Sequence, residues 1–228
     1  MYTASSAQPR VRPAGRRPIA TRLVLVAVAA LFVRTWVAQS FSIPGGSMEP
    51  ALLAGDFVLV DRFVFGPTLE NDEHGLPPMR AVRRGDVVVA RLPADPRRHL
   101  VKRVVGLPGE TLALRGATVY VDGVPLAEPY LPPTPPDRDE RVGPVTIPPQ
   151  HYFVLGDNRA HSQDSRLWGA LPHESITGRV VATYWSSAPP EVVALPAGGP
   201  AESLRRRARA AARFLRETRW NRVLRPVR

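Results

Sequence analysis

The chain contains one serine and one lysine whose settings allow nucleophilic chemistry. Ser47 follows two glycines in SIPGGSMEP, with Pro44 and Pro50 stiffening the flanks. Glycines let the backbone turn sharply and expose the next side chain. The same arrangement also serves as an ordinary turn. A serine hydroxyl becomes a useful nucleophile only when a base stands beside it. Lys102, in HLVKRVVG, is the only lysine, so 30 of the 31 Lys+Arg residues are Arg. A composition that favours Arg explains much of that ratio. On that reading Lys102 is simply the one lysine left over; the competing reading is chemical. Arg keeps its proton under protein conditions, whereas a buried Lys can lose it. Desolvation can bring a Lys pKa down to roughly 5–6. Leu100-Val101 and Val104-Val105 supply apolar neighbours for Lys102. A neutral amine can take the serine proton and later return a proton to the leaving group. Ser-Lys pairs are a variant of triad chemistry.

Other chemistries lack residues. There are no cysteines, which excludes disulfides, thiolate metal sites and a Cys nucleophile. The five histidines, at 74, 99, 151, 161 and 173, show no HExxH or paired helical spacing. No metal site is expected. The net charge of +11 is uneven. Residues 1–22 carry +5 and residues 203–228 carry +9, which leaves −3 for residues 23–202. A nucleic-acid reader wants its basic face on the folded domain. Basic ends suit a membrane surface better.

Several elements must position Ser47 and Lys102. Residues 1–18 form a basic, Pro-rich arm. Residues 19–38 include the unbroken apolar run LVLVAVAALFV, with Arg22 and Arg34 near the ends and Trp36 close by. About 20 apolar residues span a bilayer. Terminal Arg side chains can snorkel, and aromatic residues favour the interface. The arginines before the run place the N-terminus in the cytoplasm and the body outside. A cleaved signal peptide and a buried core helix are the rival readings of this segment. Residues 39–190 have a β texture. GDFVLVDRFVF, GDVVVARLP, HYFVLGDN and GRVVATYW read as strands, and Asp122-Gly123 marks a two-residue hairpin turn. No βαβ alternation occurs, so an antiparallel sheet or barrel is expected. Residues 191–228 comprise a linker and an Arg-rich tail with partial helical periodicity. The tail reads either as a surface helix on anionic lipid or as a solvated extension.

Five stretches in order resemble bacterial type I signal peptidases: the apolar segment ending in VRTWVAQSF, IPGGSMEP, GDFVLVDRF, RRGDVVVARLP leading into HLVKRVVGLPGE, and GDNRAHSQDSRLWG. The resemblance covers most of residues 20–185. It implies a membrane-bound serine endopeptidase of the signal-peptidase β fold, without a cofactor, that removes signal peptides from exported preproteins. Its catalytic domain would sit on the outer face of the cell membrane, as a monomer contacting lipid and no nucleic acid. Substrates would carry small residues before the cut. Ser47 would be the nucleophile and Lys102 the base. Ser162 would orient the lysine amine, and Asp164 and Arg166 would shape the site through an ion pair. Arg103 and Asp157 form a second candidate pair. The sequence departs from the family pattern at Gly45, where a hydroxyl residue often assists the oxyanion. It departs again at Ala160 and His161, which replace the usual Asp and Asn. His161 beside Ser162 leaves a Ser-His pair as a competing reading. An inactive anchored binding protein of the same fold and a self-cleaving Ser-Lys regulator are the alternative functions.

Overall fold

The computed structural model describes residues 21, 23–26, 28, 38–65, 79–116, 118–132, 141–188 and 216–227. Its larger sheet holds β1 (Ala38–Ser42), β2 (Asp56–Asp61), β3 (Val87–Leu92), β4 (Asp95–Gly106), β9 (His151–Leu155), β10 (Leu171–Pro172), β11 (Ile176–Ser186) and β12 (Arg225–Pro226). The strand order is β1-β2-β11-β3-β4-β9-β10, with β12 also paired to β11. A second sheet, in the order β7-β6-β5-β8, contains β5 (Thr111–Arg115), β6 (Thr118–Val121), β7 (Val124–Pro125) and β8 (Arg141–Thr146). All the strand pairings in both sheets are antiparallel. The expected mainly β, antiparallel body is therefore the observed architecture.

Local sequence explains these elements. β-branched side chains are stiff and pack well on a pleated surface. The Val-Val-Val-Ala run of β3 is buried throughout because both sheet faces are covered there. Between β6 and β7, Asp122 and Gly123 both take positive φ, 51° and 81°. That is the requirement of a type I′ hairpin turn, and Asp-Gly meets it with little strain.

Among the described residues, three buried clusters hold the sheets. One joins Ile43, Met48 and Leu52 to Val58, Val101 and Val180. A second, around Val88, Val104 and Val154, packs the opposite face of the large sheet. The third, around Leu112, Ile147 and Phe153, joins the small sheet to the large one. Each fully buried Val or Leu contributes about 1.5–3 kcal/mol relative to exposure.

Strand β4 sets up the site. Its first half, Pro96–His99, is exposed, and its second half, Val101–Gly106, is buried. β3 pairs along it from Asp95 to Arg103, whereas β9 joins only from Arg103 onward. The edge of β4 from Arg97 to Lys102 opposite β3 is thus unpaired among the described strands. The sheet curls until Phe41 of β1 meets His99 of β4, with ring centroids 5.7 Å apart. A groove is left between two strand edges.

The two ends are described only in part. Most of the 19–38 segment lies outside the described residues, as does the 1–18 arm. Residues 21, 23–26 and 28 are helical and exposed, and Ala38 already begins β1. No helix among the described residues is long and apolar enough to cross a membrane. Residues 216–227 form neither a lipid-surface helix nor a solvated extension. They pack back onto β11, where Val227 enters the core beside Met48 and Leu52. Residues 191–215 lie outside the description.

One buried ion pair fixes β4 to the segment after β9. Arg103 Nε and Nη2 donate to the two Asp157 carboxylate oxygens at 2.8 and 2.7 Å, and both side chains are 1% exposed. Removing one partner of such a pair leaves an uncompensated buried charge. Asp157→Ala is expected to lower unfolding free energy by about 3–5 kcal/mol in urea titrations. A loss under about 1 kcal/mol would show that Arg103 finds another partner or water.

Candidate active site

Ser47 stands on a tight turn that the fold closes from several sides. Ile43 is tied to the start of β2, with its N–H on the Asp56 carbonyl and its carbonyl accepting from Gly55. The chain then crosses Pro44-Gly45-Gly46 and turns. Glu49 N–H donates to the Gly46 carbonyl at 3.2 Å, and Leu52 N–H to that of Met48 at 2.9 Å. Met48, directly after the serine, is 1% exposed and acts as an apolar plug under the turn. From the far side, Asn158 donates twice. Its backbone N–H reaches the Ser47 carbonyl and its side-chain amide reaches the Gly46 carbonyl, both at 3.1 Å.

Lys102 approaches from β4. Its Nζ lies 2.8 Å from Ser47 Oγ and donates to the Val101 carbonyl at 3.1 Å. The residue is 4% exposed. Burial holds its pKa below the ordinary 10.5, against the opposing pull of Asp164 and Asp157; the Arg166 charge lowers it further. A hydroxyl therefore faces a desolvated amine, the arrangement needed for proton transfer from oxygen to nitrogen.

The segment 156–166 backs this pair. Gly156 permits a close approach: a Cβ there would lie 2.2 Å from Ser162 Oγ and 2.4 Å from the Ser47 carbonyl oxygen. Gly156 N–H donates to Asp164 Oδ2 at 3.0 Å. Arg166 grips Asp164 through Nε (2.7 Å) and Nη2 (2.9 Å), and the same Nη2 donates to the carbonyls of Arg159 and Ser162. The pair thus fixes the loop through backbone groups. Asp164 also accepts from Arg166 N–H at the start of α1 (Ser165–Trp168).

Ser162 is brought to the site, yet it makes no hydrogen bond to Lys102. Its Oγ is buried without a partner. The second contact of the lysine amine is the Val101 carbonyl instead. His161 is exposed and its Nδ1 contacts Asn158 Oδ1 at 3.2 Å, so the Ser-His reading finds no geometry here. Gly45 leaves a gap: apart from its chain neighbours, no atom of the described residues lies within 4 Å of where its Cβ would be. Among the described residues, no group of three or more His, Asp or Glu side chains could hold a metal ion.

Sequence reasoning missed several supports. Asn158 lies within the GDN stretch, but nothing in one sequence tells that its amide reaches Gly46. The ring of Tyr130 lies 4.0 Å from the Arg103 guanidinium carbon, and its hydroxyl donates to Glu128, which in turn binds Arg159. This chain covers the Arg103–Asp157 pair. Burial pushes the Asp157 carboxyl up, against the opposing hydrogen bonds from Arg103.

A cleft of about 490 Å³ opens over the serine and lysine, between the β1 and β4 edges. Phe41, Ile43, Val101, Leu167 and Trp168 give it a largely apolar lining. An extended peptide could lie there as an added strand.

Residues 16–185 match the family described as signal peptidase, peptidase S26. The chain is 34% identical over 202 residues to signal peptidase I of Pseudomonas aeruginosa, covering 73% of this chain and 71% of that one. It is 39% identical over 168 residues to signal peptidase I of Leptolyngbya laminosa, covering 71% and 75%. A third relative, signal peptidase I of Bacillus caldolyticus, is 33% identical over 175 residues, covering 71% and 87%. A buried amine against a turn-borne serine, at the head of a strand-lined cleft, thus occurs in a chain that belongs to the signal peptidase family, peptidase S26.

Proposed function

We propose that this peptidase removes signal peptides from exported preproteins with Ser47 as nucleophile and Lys102 as general base. The observation that carries the assignment is the 2.8 Å approach of a buried Lys102 Nζ to Ser47 Oγ. In the reactive state the amine is neutral and accepts the hydroxyl proton as Oγ attacks the scissile carbonyl carbon. The carbonyl electron pair moves to oxygen. When the tetrahedral intermediate collapses, the C–N bond breaks and Lys102 returns the proton to the leaving amine. Water then attacks the acyl-enzyme ester with the same base, freeing Ser47. The Ser47 backbone N–H is the available donor to the oxyanion. Gly45 offers no side-chain donor, so a water in the open space beside it would supply a second hydrogen bond.

The substrate would lie extended between β1 and β4, with small side chains before the cut. Ser162 would contribute its unpartnered hydroxyl to the lysine amine once the cleft is filled. The 19–38 segment would serve as a single-pass anchor, with the N-terminus cytoplasmic and the catalytic body on the outer face. Tethering raises the effective concentration of a signal peptide that is itself held in the bilayer.

Two sets of variants test the chemistry. Ser47→Ala and Lys102→Arg are each expected to lower preprotein cleavage by about 10³-fold or more while the circular dichroism spectrum stays unchanged. Lys102→Arg keeps the charge and removes the ability to deprotonate, so retained cleavage in that variant contradicts the general-base role. Gly156→Ala forces a methyl group into the space of Ser162 Oγ and the Ser47 carbonyl. A displacement near 1 Å at a reacting group costs about 10²-fold in rate. That loss should appear in kcat, measured well below the melting temperature; an unchanged kcat would show that the turn relaxes without penalty.

A further inference from the structure

We infer that Arg222, far along the chain from the site, is a positioning residue for the nucleophile: with Asp56 it clamps the turn that presents Ser47. This inference rests on Ser47 being the nucleophile. The C-terminal segment reaches the turn directly. Arg222 Nη2 donates to the Ala51 carbonyl at 2.9 Å and to Asp56 Oδ2 at 2.6 Å, and its Nε reaches Asp56 Oδ1 at 3.3 Å. Arg219 Nη1 donates to the Ala54 carbonyl at 3.0 Å. Asp56 also accepts from the Leu53 N–H at 2.9 Å and from Ser186 Oγ at 2.6 Å. Backbone groups of residues 51, 53 and 54 are therefore tied to one carboxylate and two guanidinium groups. The adjoining Met48–Leu52 hydrogen bond closes the turn at the residue after Ser47.

The cluster is sealed. Asp56 is 0% and Arg222 6% exposed. Burial alone would raise the Asp56 carboxyl, yet the hydrogen bonds from Arg222, Ser186 and Leu53 hold it below the usual carboxylate range. An ionised carboxylate inside the fold, with its oxygens fully engaged, is a stiff anchor for the chain around it.

The segment is also seated independently of Arg222. Arg219 N–H donates to the Ser186 carbonyl at 2.8 Å, and Val227 N–H to that of Val181 at 3.0 Å. Thr218 bridges Ser187, and Trp220 packs edge-on against Trp185 at 5.6 Å. Val227 fills the core cluster that holds Met48 and Leu52. Losing the guanidinium therefore frees the turn while the segment stays docked. Neither Arg222 nor Asp56 lines the cleft, so substrate binding should not change.

The test measures kcat and KM separately for preprotein cleavage by Arg222→Ala, Arg222→Lys, Asp56→Asn and the Asp56→Asn/Arg222→Ala double variant of the full chain. Ser47→Ala runs in parallel, and each assay is held well below the variant's melting temperature. The expected result is a kcat loss of about tenfold to a hundredfold for Arg222→Ala with KM within about twofold. Arg222→Lys should recover part of the loss, and the double variant should be no worse than the poorer single one. A merely structural role would lower the melting temperature and leave kcat per folded molecule unchanged, which overturns the inference. A change confined to KM overturns it as well. If Arg222→Ala does not fold, Arg222→Lys and Asp56→Asn decide: wild-type kcat in both overturns the clamp. If Ser47→Ala still cleaves, the nucleophile assignment itself fails, and that outcome is distinct from wild-type kcat in the Arg222 variants.

Discussion

The structure is organised around one uncomfortable contact, a lysine amine buried against a serine hydroxyl. Lysine is an effective base near neutral pH only where water is kept from its charged form. The fold meets that requirement by placing Lys102 where β4 passes from its exposed half into the core, 4% exposed and flanked by Val101. Stability follows the reverse sense. Because the folded-state pKa lies below the ordinary 10.5, the unfolded chain takes up this proton first as pH falls. The destabilisation grows from that value down to the depressed pKa and is complete below it. The surrounding valine-rich core offsets it, and activity and stability are set against each other at this residue.

The carboxylates near the site serve mainly as braces. Asp164 holds the Gly156 amide, and its partner Arg166 holds the carbonyls of Arg159 and Ser162. Asp157 secures β4 through Arg103, which in turn donates to the Gly85 carbonyl at 2.9 Å. Asp56 and Arg222 hold the nucleophile turn from behind. In all three cases a buried ion pair is spent on backbone groups. Fully satisfied networks of this sort specify one arrangement, because any slip leaves a buried polar group unpaired. The proton-transfer distance is thereby set by rigid elements instead of by flexible side chains.

Much of this was legible in the sequence, for identifiable reasons. Ser47 stood out because two glycines precede it, and Lys102 because arginine fills every other cationic position. The strands were legible from valine-rich runs, and the Asp122-Gly123 turn from the positive φ it demands. Asp164 and Arg166 are two residues apart, so their pairing is a local matter. The Arg222–Asp56 clamp was not legible. Its partners are 166 positions apart, and Arg222 is one of ten arginines in a tail whose charge pattern fits a lipid surface equally well. Nor does a linear pattern show that Tyr130 covers Arg103 or that Asn158 reaches Gly46, since both contacts depend on how loops return to the sheet. The unpartnered Ser162 hydroxyl is a third case: it lies beside Gly156 and the Ser47 turn, but a hydrogen bond to the lysine also needs a rotamer and an approach direction.

Because Lys102 is the only lysine, its protonation can be followed by itself. Protein labelled with lysine carrying 15Nζ and 13Cε gives one side-chain signal, so a pH titration followed by NMR reports Lys102 alone. A neutral Lys102 acting as the base requires a midpoint well below the ordinary 10.5, coinciding with the rising limb of kcat/KM for preprotein cleavage. A midpoint at the ordinary lysine value, with cleavage already at full rate below it, would contradict a neutral Lys102 as the base.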